Sequence, residues 1–371
     1  MSDWRDTTLG EVLNFQRGFD ITRKTQASGG VPVVSSGGIA SFHDTAAAAG
    51  PGVVIGRKGT LGKVFYLPGH YWPHDTTLWI QDFKGNLPRF VYYFMKQFDT
   101  SWLDAGSANP TLNRNHLHPL RVSWPTIHVQ QAIAEVLGAF DDKIAANTKL
   151  ATTADDLAGV IYDHAVAGFS TRAMSEVLNP ILGGTPSRTQ ADFWVGDQYW
   201  ASAKDITSAN FGVITGTIEQ ISLSATTKTK AKPLPAGSVI LTARGTVGAV
   251  ARLAVPASFN QSCYGFIPDT IPSGMLYLAI KRATQRAKAI AHGSVFDTIT
   301  MKTFDHLSIP DLRSEMAASI EEKISPLLDC VSEAVVENQR LAATRDALLP
   351  QLMSGKLRVK DAEKALEDAG V

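Results

Sequence analysis

Residues 147–157 read N-T-K-L-A-T-T-A-D-D-L, and residues 338–348 read N-Q-R-L-A-A-T-R-D-A-L. Asn147, Leu150, Ala151, Thr153, Asp155 and Leu157 recur as Asn338, Leu341, Ala342, Thr344, Asp346 and Leu348 at a single offset of 191 residues. Outward from this stretch, Ile133, Leu137, Phe140, Ile144, Asn147, Ala151, Ala154, Ala158 and Ile161 follow one another in steps of four and three. That is the seam of a long amphipathic helix, which Leu150 and Leu157 widen. The second copy supplies Ile324, Leu328, Val331, Val335, Asn338, Ala342, Arg345, Leu349 and Leu352, with Leu341 and Leu348 in the flanking places. Two matched helices, each following its own globular block, are expected to pack on each other. Asn147 and Asn338 at seam positions are candidates for fixing the register. Arg345 departs from the pattern, standing where the first copy has Ala154. Pro326 reads as a helix start or kink, and Gly159 and Pro350, at one repeat position, as a point where each helix weakens or bends.

The blocks before the helices also repeat. Glu11-Val12-Leu13-Asn14 matches Glu176-Val177-Leu178-Asn179, and K-G-T-L-G-K-V at 58–64 matches R-G-T-V-G-A-V at 244–250. Gly106-Ser107 matches Gly293-Ser294, and Leu120 matches Leu307. The offset grows from 165 to 186 between the first two pairs, so the second block carries about twenty extra residues within 183–235, Lys228, Lys230 and Lys232 among them. Short apolar runs bounded by Gly and Pro, such as 52–56 and 64–67, read as strands, and Asn86–Met95 as a helix with Pro88 in its first turn.

With 371 residues the chain exceeds one core, and 44% hydrophobic with 19% charged residues is ordinary for a globular protein. It holds no apolar run long enough to span a membrane and no basic-then-apolar leader. Two cysteines, Cys263 and Cys330, make no metal or disulfide framework, so a reducing cytoplasm is expected. The net charge of zero hides an alternation: +3 over 1–125, −4 over 126–170, +4 over 171–312 and −3 over 313–371. Two mildly basic blocks therefore alternate with two acidic helices, a weak pointer to nucleic acid.

The glycine loops at 56–62 and 243–248 lack the phosphate-loop frame. They read as tight turns needing positive φ, or as loops that offer backbone N–H groups and one cation to a DNA phosphate. His70 with His74, and His116 with His118, have ligand-like spacing, but no further Cys or His cluster completes a metal site. Asn109-Pro110 and Asn179-Pro180 are followed by Thr111 and Ile181 rather than by the second proline of an adenine-methyltransferase motif. No catalytic set stands out.

Together these features resemble the specificity (S) subunit of type I restriction–modification systems over essentially the whole chain. The paired E-V-L-N-like openings, the [KR]-G-T-x-G-x-V loops and the N-x-x-L helices carry the likeness. So do Gln130, five residues after Pro125, and a closing signature from Arg345 to Leu357. In the second copy Glu315 follows Pro310 by five, but extra residues precede the seam. The resemblance implies a mixed α/β protein. A first target-recognition domain covers 1–126, a central spacer helix 127–169, a second recognition domain 170–312, a second spacer helix 313–357 and a tail 358–371. The two recognition domains would lie in inverted orientation, joined by an antiparallel coiled coil. It implies a non-catalytic chain in the cytoplasm, serving phage defence, that binds double-stranded DNA and carries two modification subunits and the restriction subunits. Neither metal nor cofactor is expected on this chain; S-adenosylmethionine, ATP and Mg2+ belong to the partners. Each recognition domain would read half of an asymmetric bipartite site for adenine N6 methylation. Candidate DNA-facing residues are Arg57, Lys58, Thr60, Arg244 and Thr246 in the turns, with Arg114, Asn115, Lys204, Asn260, Gln261 and Lys302 toward the bases. Other readings are the specificity subunit of another restriction class with a fused methyltransferase–nuclease, a coiled-coil scaffold with two protein-binding heads, and a nucleotide-dependent enzyme.

Overall fold

The computed structural model describes residues 3–98, 111–290, 298–312 and 315–371. Its first elements are β1 (Trp4–Thr8), α1 (Leu9–Val12), β2 (Asn14–Arg17), β3 (Val31–Ser35), β4 (Gly38–His43), β5 (Gly52–Gly56), β6 (Val64–Leu67), β7 (Trp72–Pro73) and β8 (Thr77–Asp82). Then come α2 (Pro88–Lys96), α3 (Arg114–Leu117), β9 (Arg121–Pro125) and the long helix α4 (Ile127–Val166). The second series is β10 (Thr171–Ala173), α5 (Met174–Val177), β11 (Ile181–Leu182), β12 (Gln198–Ala201), α6 (Ala203–Ser208), β13 (Val213–Ile214), β14 (Glu219–Ile221) and α7 (Leu223–Lys228). It continues with β15 (Val239–Thr242), β16 (Val250–Leu253), β17 (Ser258–Phe259), β18 (Cys263–Phe266), α8 (Ser273–Ile290) and β19 (Ser308–Pro310). The chain ends in α9 (Glu315–Met353) and α10 (Val359–Asp368). The matched pairs Gly106-Ser107 and Gly293-Ser294, and Asn109-Pro110, lie outside the described residues.

The chain divides into two compact units, 1–143 with 341–371, and 144–340. In the first unit β1 pairs antiparallel with β9, closing the block beside the start of α4. A four-stranded sheet runs β2-β8-β5-β6 and a three-stranded one β4-β3-β7. Every residue of β5 is buried, as a continuous apolar strand between two neighbours requires. Pro88 stands in the first turn of α2, where its missing N–H costs nothing, and Phe90, Val91, Tyr93 and Met95 are buried. Phe90 and Phe94 meet the Trp124 ring edge-on at centroid distances of 5.4 and 4.7 Å.

The second unit repeats that plan. Its β10 pairs with β19, its larger sheet runs β11-β18-β15-β16-β13 and its smaller one β14-β12-β17. Both small sheets combine one antiparallel and one parallel partner for the middle strand. The extra residues expected within 183–235 are accounted for here: α6 and β13 lie between β12 and β14, where the first unit has only Ser36 and Gly37 between β3 and β4. Lys232 lies beyond β14, and its Nζ closes α7 by donating to the carbonyls of Thr226 and Thr227.

The helices α4 and α9 hold 40 and 39 residues. Within the second unit they pair antiparallel. Asn147 Nδ2 donates to Glu337 Oε2 at 2.7 Å, and Asn338 Nδ2 to Thr148 Oγ1 at 3.2 Å. Ala151 and Ala154 pack with Val331 and Ala334. Within the first unit Arg345 reaches Asp141, whose carboxylate also accepts from the Tyr93 hydroxyl. The departure at Arg345 thus has a partner of opposite charge in the first unit. Ile133, Leu137, Phe140, Asn147, Ile324, Leu328, Val331, Val335 and Leu341 are buried; Ile144, Asn338 and Leu348 are half-buried.

Three expectations for these helices and the tail change. Leu150 and Leu157 do not widen the seam, since they are 53% and 46% exposed. Each stands one residue, about 100° of rotation, from a seam alanine, and contact through alanines is too narrow to cover that flank. Pro326 does not start α9, which begins eleven residues earlier at Glu315. Both helices continue past Gly159 and Pro350, to Val166 and Met353. Gly159 makes room for a guanidinium: a Cβ there would lie 2.6 Å from Arg282 Nη2, and Arg282 pairs with Asp163 one turn on at 2.8 Å. In the first unit Gly138 does the same for Arg89, which binds Gly138 O at 3.0 Å and Asp142 at 2.6 Å. The stretch assigned to a tail contains α10, whose Ala362 is fully buried.

Gln130 explains the Pro-to-Gln spacing. It is buried, accepts from Leu87 N at the start of α2, and donates to Asn86 Oδ1 and Pro125 O. Its counterpart in the second unit is Glu321, not Glu315. Glu321 accepts from Gly274 N and Met275 N at the start of α8, at 2.8 and 2.9 Å. The 191-residue offset, extended three residues before Ile133, leads to it. Gln130→Ala leaves several buried polar groups without partners and is expected to destabilise the first unit by roughly 2–4 kcal/mol. Urea unfolding followed by circular dichroism checks this; a cost under about 0.5 kcal/mol would contradict the assignment.

Candidate nucleic-acid interface

In both units the glycine loop continues a buried central strand into a tight turn. After β5, Gly56 N donates to Lys63 O at 2.8 Å and Gly62 N to Gly56 O at 3.0 Å. After β15, Thr242 N donates to Ala249 O and Gly248 N to Thr242 O, both at 2.9 Å. Gly59 and Gly62 have φ of 78° and 70°, and Gly245 and Gly248 have 79° and 77°, so the turns need glycine at the same two places. The tips present Lys58 and Thr60 in one unit and Arg244 and Thr246 in the other, all exposed.

Four further backbone bonds tie each turn to its surroundings, pair for pair. In the first unit they are Gly18 N to Thr77 O, Phe19 N to Pro73 O, Arg57 N to Thr76 O and Leu112 N to Arg57 O. In the second they are Gly183 N to Cys263 O, Gly184 N to Phe259 O, Ala243 N to Ser262 O and Ile299 N to Ala243 O. The repeat is therefore a repeat of backbone framework, well beyond the matched letters of sequence.

In the first unit this framework surrounds a cleft of about 590 Å³. Three of the sequence candidates, Arg57, Arg114 and Asn115, line it together with Gln16, Arg17 and Phe19. Arg17 Nη2 lies 2.9 Å from Asp75 Oδ2, and Arg57 Nη1 donates to Asp75 O at 3.4 Å. Burial, with Arg17 alongside, draws the Arg57 guanidinium below its ordinary pKa, and Asp75 opposes this. It remains a cation at any physiological pH. Asn113 caps α3 by accepting from Asn115 N, which sets Arg114 and Asn115 in the first turn. His118 stands behind the same turn, its Nε2 accepting from Phe15 N at 3.2 Å. Burial, and then Arg114 and Lys84, hold its pKa below the usual histidine value. His74 and Asp75 pair at 3.0 Å, and Asp20 brings a carboxylate oxygen within 4.8 Å of both. Arg17 already supplies that cluster with a cation.

In the second unit, Asn260 and Gln261 form the turn before β18. Asn260 Oδ1 accepts from Ser262 N at 2.6 Å, and Gln261 Oε1 from the Thr185 hydroxyl. Lys302 sits exposed in a 3-10 turn, Met301–Asp305, which follows the bond from Ile299 to the glycine loop. Lys204 stands exposed on α6, three residues after Ala201, the acceptor of Asn260 N. Burial pushes the Cys263 thiol up to about 12, so it is a core group and not a nucleophile. Sequence reasoning missed Arg17 and Gln16, which come from a strand remote in sequence from the glycine loop, and Asp75, in the turn before β8. The one signal for Gln16 and Arg17 is the register that follows E-V-L-N in each copy.

The comparisons agree with this framework. The family model described as type I restriction modification DNA specificity domain matches residues 1–153 and again 168–321. The chain belongs to that family. It is 28% identical over 194 residues to the HindI specificity subunit of Haemophilus influenzae, covering 51% of this chain and 42% of that protein. It is 28% identical over 162 residues to the MjaIX specificity subunit of Methanocaldococcus jannaschii, covering 43% and 38%. The matched stretches thus span less than half of those relatives. The fold is similar to that of the S subunit of a type I restriction–modification system from M. genitalium, with a TM-score of 0.64 at 14% identity over 94% of this chain and 96% of that one. Among the described residues no helix is long and apolar enough to cross a membrane.

Proposed function

We propose that this chain reads DNA for a type I restriction–modification complex. Each unit takes one half of a bipartite, asymmetric site, and α4 and α9 set the spacing between the halves. Two modification subunits holding S-adenosylmethionine methylate adenine N6, and restriction subunits using ATP and Mg2+ cut unmethylated DNA, in the cytoplasm as phage defence. The chain itself contributes recognition without catalysis. The observation that carries this reading is repetition with divergence: the two frameworks share their backbone bonds pair by pair, while the side chains around them differ. Family membership favours it over a scaffold, and the turn geometry of the glycine loops favours it over a nucleotide site. A continuous helix of 40 residues, about 60 Å long at 1.5 Å per residue, suits a rigid spacer.

Lys58 and Arg244 hold equivalent exposed places at the two turn tips, suited to a phosphate. Lys58→Ala and Arg244→Ala, each in the complex assembled with its modification subunits, are expected to weaken DNA binding. Each is also expected to lower the slope of log affinity against log salt by about 0.9. Titrations across salt concentrations read both. If neither substitution moves affinity or slope, the loops are structural turns only.

A further inference from the structure

The shared backbone bonds match residues of one unit with residues of the other, and the side chains at matched places differ in chemistry. Counted from the bonds of Gly18 and Gly183, Arg17 corresponds to Leu182. Arg57 corresponds to Ala243, since each donates to the turn before the next core strand and accepts from the segment after the loop. Two residues after Leu112 and Ile299, Arg114 corresponds to Met301. The first unit thus sets three guanidinium groups around its cleft, and the second sets Leu, Ala and Met on the same framework. Leu182 and Met301 are 55% and 53% exposed, so both present apolar surface to solvent. Lys302, in the place of Asn115, is the one cation the second unit has at these four positions.

In the major groove guanine offers two acceptors, O6 and N7, that match the paired donors of a guanidinium, while thymine offers a methyl group that an apolar side chain covers. Arg17 is positioned for this role. Asp75 holds it on one side at 2.9 Å, and its side chain is 56% exposed, so donors remain for a base edge. Resting on the DNA-reading function above, we propose that these positions determine specificity. In the half-site of the first unit they read guanine through Arg17 and Arg114. In the half-site of the second they read an A·T pair by packing Leu182 and Met301 on the thymine methyl. The cleft of the first unit, with Arg57 at its base, is the reading surface, and Lys58 and Arg244 at the turn tips contact phosphate.

The test is methylation mapping of a DNA library with the assembled complex, wild type against Arg17→Leu, Arg114→Met and Leu182→Arg. All three positions are exposed, so the variants are expected to fold. Arg17→Leu or Arg114→Met should reduce modification of sites with the native guanine by about tenfold to a hundredfold and relax or change that base, leaving the other half-site as it was. Leu182→Arg should shift one A·T position of the other half-site toward guanine. If the mapped motif is bipartite and all three variants leave it unchanged, the base-reading proposal is overturned while the DNA-recognition function stands. If Leu182→Arg alters the half-site that Arg17→Leu alters, the assignment of one unit to each half is overturned. If wild-type complex yields no bipartite motif, the function proposed above fails first.

Discussion

Inserting seven residues into α4 between Lys143 and Ile144, and seven into α9 between Arg340 and Leu341, is expected to lengthen the gap between recognised half-sites by about three base pairs. These two junctions lie where the chain passes from one compact unit to the other, and a heptad returns each seam to its own face. Seven residues add roughly 10 Å of helix at 1.5 Å per residue, and DNA rises about 3.4 Å per base pair. The half-site sequences should not change, because no residue of either framework is touched. The same insertion in α4 alone should do something different. It leaves α9 one heptad short, so the pairs Asn147–Glu337 and Asp141–Arg345 cannot both form, and stability is lost. Methylation mapping of the doubly lengthened chain with its partners gives the gap directly. A gap that stays at its native length would show that the helices do not set it.

Phe140→Ala is expected to cost roughly 3–5 kcal/mol, the usual loss for truncating a fully buried phenylalanine. Leu150→Gln and Leu157→Gln should each cost less than about 0.5 kcal/mol, since both leucines face solvent and glutamine is an equally good helix former. All three residues read alike in the sequence as members of one apolar stripe, so the contrast isolates what the packing decides. Urea unfolding midpoints of the variants, compared at equal protein concentration, measure it. Equal losses at Phe140 and Leu150 would place Leu150 in a contact that its 53% exposure denies.

These contrasts also show where sequence reasoning stops. Helix periodicity is local and covalent in origin, so the two long helices, the repeat offset and the positive-φ turns are legible in the letters. The offset even contained the equivalence of Gln130 and Glu321, although a count from Pro310 led instead to Glu315. Which side of a stripe is covered depends on what approaches it. A flank beside seam alanines stays exposed at Leu150 and Leu157, whereas Phe140 is enclosed. Pro326 breaks a rule of local propensity, yet α9 runs through it, since tertiary packing along a helix of 39 residues outweighs one missing donor.

The candidate interface divides the same way. Arg57, Arg114 and Asn115 were recognisable by residue type, but their convergence with Arg17 and Gln16 on one cleft depends on sheet register. Residues 16, 57 and 114 meet because β2, β8 and β5 hydrogen-bond side by side and Leu112 N, two residues before Arg114, bonds to Arg57 O. The sequence by itself determined the duplication, the helices and the family. Only the tertiary structure decided which side chains occupy equivalent places in the two units, because strand pairing over long separations, not local spacing, brings them together.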